Sequence, residues 1–206
     1  MIDELKAIEI LKNELGFSDS SIKKLKKFHN YLLEYNKRYN LISKNTEKSI
    51  WFRHILDSAQ IIKFIEAQKI DNIVDFGSGA GFPGLIIAFY NENKRFHVKL
   101  YEKSPVKRAF LRNIKEKLDI RNLDIANDVY GEEILADIIV CRAFKKLEEI
   151  LKISRETVKK PHKLIILKGK NAQSEINNVS LGSNYSYKLE NSITDSDSKI
   201  IIVDAK

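Results

Sequence analysis

The stretch DFGSGAGFPG, from Asp75 to Gly84, places four glycines, an acid and a proline within ten residues. It begins inside the apolar run NIVDF, which predicts a buried strand. Glycines in such a loop permit a tight turn and let a ligand approach the main chain closely, and the helix that follows presents free amide groups. We therefore expect a ligand-binding loop that joins the first strand of an α/β sheet to its helix.

The chain after Asp71 alternates short β-branched runs with amphipathic helical segments. Strands are predicted at NIVDFG, HVKLYEK, LDIAN, ADIIVCRA and KLIILKG, and helices at about residues 85–90, 105–118, 145–158 and 172–178. The final stretch, YSYKLENSITDSDSKIIIVDA, predicts two more strands joined by a polar loop. This order predicts an α/β, Rossmann-like fold with a mostly parallel seven-stranded sheet and an antiparallel C-terminal hairpin.

The first 70 residues show helical periodicity and no strand pattern. Apolar residues recur there at intervals of three and four, first at Ile2, Leu5, Ile8, Leu11 and Leu15, and then at Ile22, Leu25, Phe28, Leu32 and Leu33. We expect residues 1–70 to form an N-terminal helical cap on a Rossmann-like domain of residues 71–206, as one compact unit.

The composition is that of an ordinary soluble globular protein, with 43% hydrophobic residues and three prolines in 206 residues. No apolar run approaches the ~20 residues that a membrane span needs, and the N-terminus lacks the apolar core of a signal peptide. The single cysteine, Cys141, excludes an internal disulfide and a cysteine-rich zinc site. We expect a cytoplasmic monomer without a metal.

The formal net charge of +8 favours a polyanionic partner. The excess lies in the body of the chain: residues 20–50 hold eight Lys/Arg against two Glu, and residues 142–170 hold ten against three. Charge of this kind favours nucleic acid, and a lysine-rich solvated surface is the alternative.

The glycine loop allows three classes of cofactor site. A triphosphate-binding loop needs Gly-Lys-Ser/Thr at its end, where FPG stands. A dinucleotide fingerprint shares Gly77, Gly79 and the acid Glu102, but Gly81 breaks its spacing and Asp75 would repel a pyrophosphate. An acid beside the loop and a second one ending the next strand favour S-adenosylmethionine, which carries a cationic amino acid moiety and a ribose diol. A nicotinamide or flavin site, or a glycine turn that serves packing alone, remains an alternative.

The end of the fourth predicted strand reads CRAF, residues 141–144. It lacks the Asn/Asp-Pro-Pro-aromatic sequence of enzymes that methylate base amines, and a lone cysteine in an apolar strand favours packing over a nucleophilic role. Arg142 is different, because an arginine at the end of a buried strand needs a partner. We expect Arg142 to contact the cofactor or the target nucleotide, and an ion pair with Glu148 or Glu149 is the alternative.

Six motifs in fixed order give a specific resemblance. They are YNLIS, RHILDS, DFGSGAGFPG, KRAFLR, CRAF, and LKG followed by Glu175, and they run from about Tyr39 to Glu175. Together they resemble the bacterial small-subunit ribosomal RNA guanine-N7 methyltransferases, once called glucose-inhibited division protein B. The resemblance implies a class I S-adenosylmethionine-dependent methyltransferase that modifies N7 of one guanosine in 16S rRNA of the small ribosomal subunit.

The resemblance also assigns residues. It implies cofactor contacts at Gly77, Phe82, Val129, Tyr130 and Arg142, with Glu102 at the ribose. The family has an acidic residue where Tyr130 stands and often a basic one where Asp128 stands. Asp75 and Gly79 are cofactor candidates from the glycine pattern itself. Guanine N7 has a lone pair and no proton, so we expect Arg142 to act by position and charge, with no general base.

Several basic and polar residues have two interpretations each. Lys168, Lys107 and Arg108 are candidates for contact with substrate phosphate, against a structural or solvated role. For His54 and Asp57 we favour a structural link between the N-terminal helices and the cofactor loop over RNA contact. Alternatives to the whole assignment are an RNA-binding protein that keeps the cofactor fold without turnover, a methyltransferase for another RNA or a protein, and a nicotinamide-dependent oxidoreductase.

Overall fold

The computed structural model describes residues 2–65, 70–92, 95–179 and 185–206. Seven strands form one sheet in this part of the chain. They are β1 (Asn72–Phe76), β2 (His97–Tyr101), β3 (Leu123–Ala126), β4 (Ile138–Arg142), β5 (His162–Lys168), β6 (Tyr185–Asn191) and β7 (Lys199–Ala205). All seven predicted strands are confirmed.

The sheet has the strand order β3-β2-β1-β4-β5-β7-β6. Strands β1 to β5 pair in parallel, and β7 pairs antiparallel with both β5 and β6. The later strand of the C-terminal hairpin therefore lies inside the sheet and the earlier one at its edge. The reason is burial: the KIIIVDA strand is apolar and mostly buried, whereas YSYKLEN has no buried residue and suits an edge.

Helices flank the sheet and follow the predicted positions after residue 71. They are α1 (Ile2–Asn13), α2 (Asp19–Tyr39), α3 (Asp57–Ala59), α4 (Gly84–Tyr90), α5 (Pro105–Lys117), α6 (Leu147–Thr157) and α7 (Ala172–Asn177). Around α3 the chain makes three further short turns, a 3-10 turn at Lys44–Ser49, a π-helical turn at Trp51–Leu56 and a 3-10 turn at Gln60–Phe64. The predicted return of helix after residue 50 is thus a chain of short turns.

The hydrophobic core lies on both faces of the sheet, because alternate residues of each strand point to opposite faces. On one face, α1, α2, α4 and α5 share a single cluster with the strands. Phe28 of α2 lies at its centre, with ring centroids 5.7 Å from Phe89 and 6.3 Å from Phe110. On the other face, α6 and α7 pack against residues such as Val74 and Ile139. The N-terminal helices therefore pack on the sheet through a continuous core.

Strands β1 and β4 are parallel neighbours in the sheet, and the order of the strands reverses between them. The connections from these two strands leave in opposite directions, so a crevice opens at their carboxyl ends. The glycine loop follows β1 and the CRAF segment ends β4. Across the described residues, no helix is both long and apolar enough to cross a lipid bilayer.

Candidate active site

A cavity of about 790 Å³ occupies this crevice. Its walls come from the glycine loop, the ends of β2, β3, β4 and β5, and the short turns near residues 41–57. The lining includes the predicted residues Gly77, Gly79, Phe82, Glu102, Lys107, Val129, Tyr130, Arg142 and Lys168. Of the predicted site residues, Asp75 and Arg108 lie outside the lining.

The glycine loop has a backbone that other residues would strain. Gly77, Gly79 and Gly81 have φ values of +74°, +59° and +105°, in the left-handed region that glycine tolerates. A Cβ atom on Gly77 would lie 2.3 Å from Cδ2 of Phe144, so the ring occupies the space that a side chain needs. At Gly79 the nearest atom to such a Cβ is the Gly77 carbonyl oxygen at 4.0 Å, so the main chain there faces open space.

Glu102 holds the loop against the end of β2. Its Oε2 accepts a hydrogen bond from the Gly79 amide at 2.8 Å, and its Oε1 accepts one from the Ser104 amide at 2.7 Å. The side chain is buried but lines the cavity. Because each carboxylate oxygen has two lone pairs, both oxygens keep capacity for another donor. The predicted contact of Glu102 with a ribose is compatible with this geometry and stays a prediction.

Asp75 lies behind the loop and not in the cavity. Its side chain is completely buried, and Oδ2 accepts a hydrogen bond from the Gly84 amide at 2.9 Å, at the start of α4. Oδ1 has no partner among the described residues. Burial raises the pKa of Asp75 to about 7, although the Gly84 hydrogen bond opposes the shift. The sequence predicts the Asp75 carboxylate beside the ligand. In the structure the glycine loop covers this carboxylate, and Asp75 anchors the loop through the Gly84 amide.

Arg142 reaches from β4 to the N-terminal segment. Nη1 donates to the Arg53 carbonyl oxygen at 3.0 Å and to Asp57 Oδ2 at 3.2 Å, and Nη2 donates to His54 Nδ1 at 2.9 Å. The guanidinium carbon lies 4.9 Å from the centroid of the Phe82 ring. The ion-pair partner is thus Asp57, a residue that the sequence did not connect with Arg142. Burial lowers the pKa of Arg142, and the Asp57 carboxylate opposes this.

His54 is held as a neutral ring. A guanidinium can only donate, so His54 Nδ1 must accept from Arg142, and the ring proton is on Nε2, which donates to Thr46 Oγ1 at 2.8 Å. Burial, and then the charges of Arg142 and Arg53, lower the pKa of His54 to about 3. The ring also stacks on Phe82 with centroids 5.1 Å apart. His54 therefore links the N-terminal segment to the loop, in agreement with the favoured interpretation.

Comparison with known proteins identifies the family. The sequence profile described as rRNA small subunit methyltransferase G matches residues 21–200, most of the 206-residue chain. The chain belongs to this family. The resemblance drawn from the six motifs is confirmed.

Individual members of the family are similar over most of their length. The Ribosomal RNA small subunit methyltransferase G of Orientia tsutsugamushi (strain Ikeda) is 34% identical over 195 residues, which cover 94% of this chain and 95% of that protein. The protein of the same name from Rickettsia felis is 37% identical over 183 residues, 88% of this chain and 92% of that protein.

Solved structures with the same fold include methyltransferases. A SAM dependent methyltransferase from Aquifex aeolicus has a TM-score of 0.61 at 12% identity, covering 78% of this chain and 94% of that one. A mutant of MtNAS in complex with S-adenosylmethionine has a TM-score of 0.57 at 12% identity, covering 98% and 83%. At such identities the likeness concerns the fold, and the predicted Rossmann-like methyltransferase fold is confirmed.

Lys168 lines the cavity, but its ammonium is held by hydrogen bonds within the protein. Its ammonium donates to Glu175 Oε2 at 2.7 Å and to the Lys145 carbonyl oxygen at 2.5 Å. The same Glu175 oxygen accepts from the Leu147 amide at 2.6 Å. Lys168 thereby ties the end of β5 to the CRAF segment and α7. Of the two interpretations of Lys168, these contacts support the structural one.

Lys107 and Arg108 are neighbours on α5 with different surroundings. Lys107 lines the cavity, and among the described residues its ammonium has no hydrogen-bond or ion-pair partner. Arg108 Nη1 donates to the carbonyl oxygens of Glu102 and Lys103 at 2.8 and 2.7 Å, and to Asn127 Oδ1 at 2.7 Å. Arg108 therefore joins the ends of β2 and β3, and Lys107 keeps its charge available. The predicted phosphate contact suits Lys107, whereas the Nη1 group of Arg108 is used in structural contacts.

Val129 and Tyr130, in the segment that follows β3, line the cavity. Val129 is buried, and its amide donates to Asp128 Oδ1 at 2.7 Å. Tyr130 is 48% exposed and borders the cavity. Their contact with a cofactor stays a prediction.

Cys141 lies buried in β4. Burial raises the pKa of the Cys141 thiol, because a thiolate would lose its solvation. No group of His, Cys, Asp or Glu within the described ranges is arranged to hold a metal ion.

Sequence reasoning missed the wider network around Asp57. Asp57 Oδ1 accepts from Gln60 Nε2 at 2.9 Å and from Thr194 Oγ1 at 2.7 Å. Gln60 in turn accepts from the Ile193 amide at 2.9 Å. Thr194 and Asp57 lie 137 positions apart, so no local pattern could indicate their contact. It also missed Phe144, whose place at the end of the CRAF motif was the available signal.

Proposed function

We propose that this chain transfers the methyl group of S-adenosylmethionine to N7 of one guanosine in the 16S rRNA of the small ribosomal subunit. The supporting observation is that the glycine loop, Glu102 and Arg142 converge on one cavity at the switch point of a methyltransferase fold. Membership of the rRNA small subunit methyltransferase G family supports the substrate. Because the proposed substrate is a ribosomal subunit, we propose the cytoplasm as the site of this activity.

The cavity residues fit the cofactor. The volume of about 790 Å³ is within the range of ligand pockets, roughly 300–1,000 Å³. The bare main chain at Gly79 lets a ligand approach closely, and Glu102 offers acceptor capacity for a ribose diol. Of the five guanidinium donors of Arg142, three are used by described residues, which leaves two for an anionic group of the cofactor. We assign the cofactor to Gly77, Gly79, Phe82, Glu102, Val129, Tyr130 and Arg142.

When bound, S-adenosylmethionine would supply a methyl group carried by a positively charged sulfur, for in-line transfer to guanine N7 as the carbon–sulfur bond breaks. No proton moves, because N7 has a free lone pair. A reaction of this kind needs no general base, and the two candidate bases near Arg142 are already used in hydrogen bonds. The His54 lone pair accepts from Arg142, and Asp57 is paired with the same guanidinium. The chain therefore contributes by orienting two substrates in a partly closed site.

Positive charge around the cavity supports an RNA substrate. The basic residues in its lining are Arg53, Lys103, Lys107, Arg142, Lys145, Lys168 and Lys199, and the acidic ones are Asp57, Glu102 and Asp128. Lys103 and Lys107 have no acidic partner within the described residues, so their charges are available to phosphate. We propose that RNA phosphates bind at this side of the cavity mouth.

The direct test incubates the protein with labelled S-adenosylmethionine and small ribosomal subunits from cells that lack the gene. Reduction and aniline treatment then cleave RNA at N7-methylguanosine. One new cleavage in 16S rRNA is the expected result. Label uptake without cleavage would mean another acceptor atom and would overturn the N7 assignment. Cofactor binding without label uptake on any subunit preparation would favour an RNA-binding protein without turnover.

A further inference from the structure

Among the described residues, four phenylalanine and tyrosine rings line the cavity, and they differ in how much of their surface is exposed. Phe82 and Tyr101 are buried, and Phe82 already contacts His54 and Arg142. Phe144 is half-buried and Tyr130 is 48% exposed. Phe144 and Tyr130 are therefore the rings with surface available to a planar ligand.

Phe144 is held in a defined position by its backbone and its packing. Ala143 has a φ of +50°, unusual for a residue with a side chain, and it redirects the chain directly after β4. Cδ2 of the Phe144 ring lies only 2.3 Å from the point that a Cβ atom on Gly77 would occupy. Its centroid lies 6.1 Å from that of Phe76, at an interplanar angle of 61°. The ring is therefore fixed against the glycine loop while it still lines the cavity.

The two available rings come from different segments of the chain. Phe144 follows β4, which is beside β1 at the switch point. Tyr130 follows β3, separated from β1 by β2. Glu102, the proposed ribose contact, directly follows β2, the strand between β3 and β1. Since Tyr130 is assigned to the cofactor in the proposed function, Phe144 is the ring left for the second substrate.

We propose that Phe144 is the platform on which the target guanine stacks during methyl transfer. The inference rests on the proposed function, because it names the residue that receives the acceptor base. An enzyme that modifies a base must hold it outside the RNA stack, and aromatic side chains commonly replace the lost stacking.

The Phe144 ring also suits the charge that develops on the base. Methylation moves one positive charge from the sulfonium to the purine, and the face of an aromatic ring attracts cations. The ammonium of Lys145 lies 5.9 Å from the Phe144 centroid, but it is paired with the Glu149 carboxylate. The local charge of Lys145 is therefore balanced, and the ring face remains favourable for a cationic base.

The test compares Phe144→Leu, which removes the aromatic face, with Phe144→Tyr, which retains it. Stacking of one base on an aromatic ring predicts a fall in kcat/KM for small subunits on the order of tenfold to a hundredfold in the Leu variant. The Tyr variant should stay near wild type. Cofactor affinity, measured by calorimetry, should be unchanged in both. Tyr187→Leu, which removes an exposed ring from β6, is the matched control and should keep full activity.

A second measurement uses the wild-type protein and does not depend on the activity of a variant. With S-adenosylhomocysteine present, saturation-transfer NMR on the wild-type protein should show tighter binding of 7-methylguanosine monophosphate than of guanosine monophosphate. Phe144 ring protons should give intermolecular contacts with the N7 methyl group. Their resonances are assigned as those that tyrosine resonances replace in Phe144→Tyr.

The outcomes separate this inference from the proposed function. A wild-type protein that does not methylate N7 would overturn the proposed function itself. A wild-type protein that does, together with a Phe144→Leu variant within twofold of it, would overturn only the platform. Weaker cofactor binding with unchanged turnover at saturating cofactor would place Phe144 in the cofactor site and also overturn it, as would contacts of the methylated base with other rings alone.

Discussion

Arg142 Nη1 donates to Asp57 Oδ2 at 3.2 Å, although the two residues lie 85 positions apart in the chain. Both side chains are mostly buried, with 18% and 16% of their surface exposed. The pair connects the end of β4 to the start of α3. Because Asp57 Oδ1 also accepts from Thr194, one carboxylate holds three separate segments around the cavity.

Breaking this pair should destabilise the fold. In Asp57→Ala, the Arg142 guanidinium stays in a largely buried place without its counter-charge, and we expect the free energy of unfolding to fall by about 3 kcal/mol. Arg142→Met should also destabilise the protein, and the double variant should lose less than the sum of the two. Urea unfolding of all four proteins measures the coupling. Strictly additive losses would show that the pair contributes no interaction energy.

The pH dependence of stability should report the neutral state of His54. Its pKa falls from an ordinary 6.5 to about 3 in the folded protein. The unfolded chain binds more protons between these values, so the contribution of His54 is complete above pH 6.5 and is lost as the pH falls towards 3. The slope for one such group is at most ~1.4 kcal/mol per pH unit. In His54→Gln this loss on acidification should disappear, as measured by urea unfolding across the range.

Asp75 should have the opposite effect in an overlapping range. Its pKa rises from 3.8 to about 7 on folding, so the folded protein binds the extra proton. The contribution of Asp75 is complete below pH 3.8 and is lost as the pH rises through 7. Asp75→Asn retains an acceptor for the Gly84 amide, and its stability should decline less than that of wild type as the solution becomes alkaline. If both the His54 and the Asp75 variants changed the slope in the same direction, one of the two assignments would be wrong.

Gly77 should tolerate substitution less well than a glycine of similar conformation. Gly77 and Gly131 both have positive φ, +74° and +84°. A Cβ at Gly131 meets nothing within 4 Å, whereas one at Gly77 meets Phe144. We expect Gly131→Ala to cost about 1–2 kcal/mol of backbone strain and Gly77→Ala clearly more, with weaker cofactor binding as well. Thermal unfolding and calorimetry measure both effects, and equal losses at the two positions would contradict the proposed steric role of Phe144.

Lys107 should contribute to RNA affinity through a local contact with one phosphate. Removing one phosphate contact in Lys107→Ala should weaken binding to small subunits and reduce the slope of log K against log salt by about 1. Lys188→Ala removes the same charge from β6, far along the sheet from the cavity, and serves as the control. Equal slopes for the two variants would show that Lys107 acts only through net charge.

Local patterns in the sequence were sufficient to predict most of the fold. Alternating β-branched runs and helical periodicity indicated all seven strands and the helices after residue 71, because period and burial are properties of neighbouring residues. The glycine spacing and Glu102 indicated the cavity wall for the same reason, since turns and strand ends are local. Which strand of the C-terminal hairpin lies inside the sheet was less evident from the sequence. The apolar KIIIVDA run explains why β7 lies inside and β6 at the edge.

Only the tertiary structure decided which groups face the cavity and which are used to build it. Asp75 is buried behind the loop, Arg142 pairs with Asp57, and Lys168 pairs with Glu175. Arg108 and Lys107 are adjacent in sequence, yet one is occupied by three acceptors and the other is available. The physical reason is that the partner of a side chain depends on distances between residues far apart in the chain. The sequence determines those distances only through the complete packing of the fold.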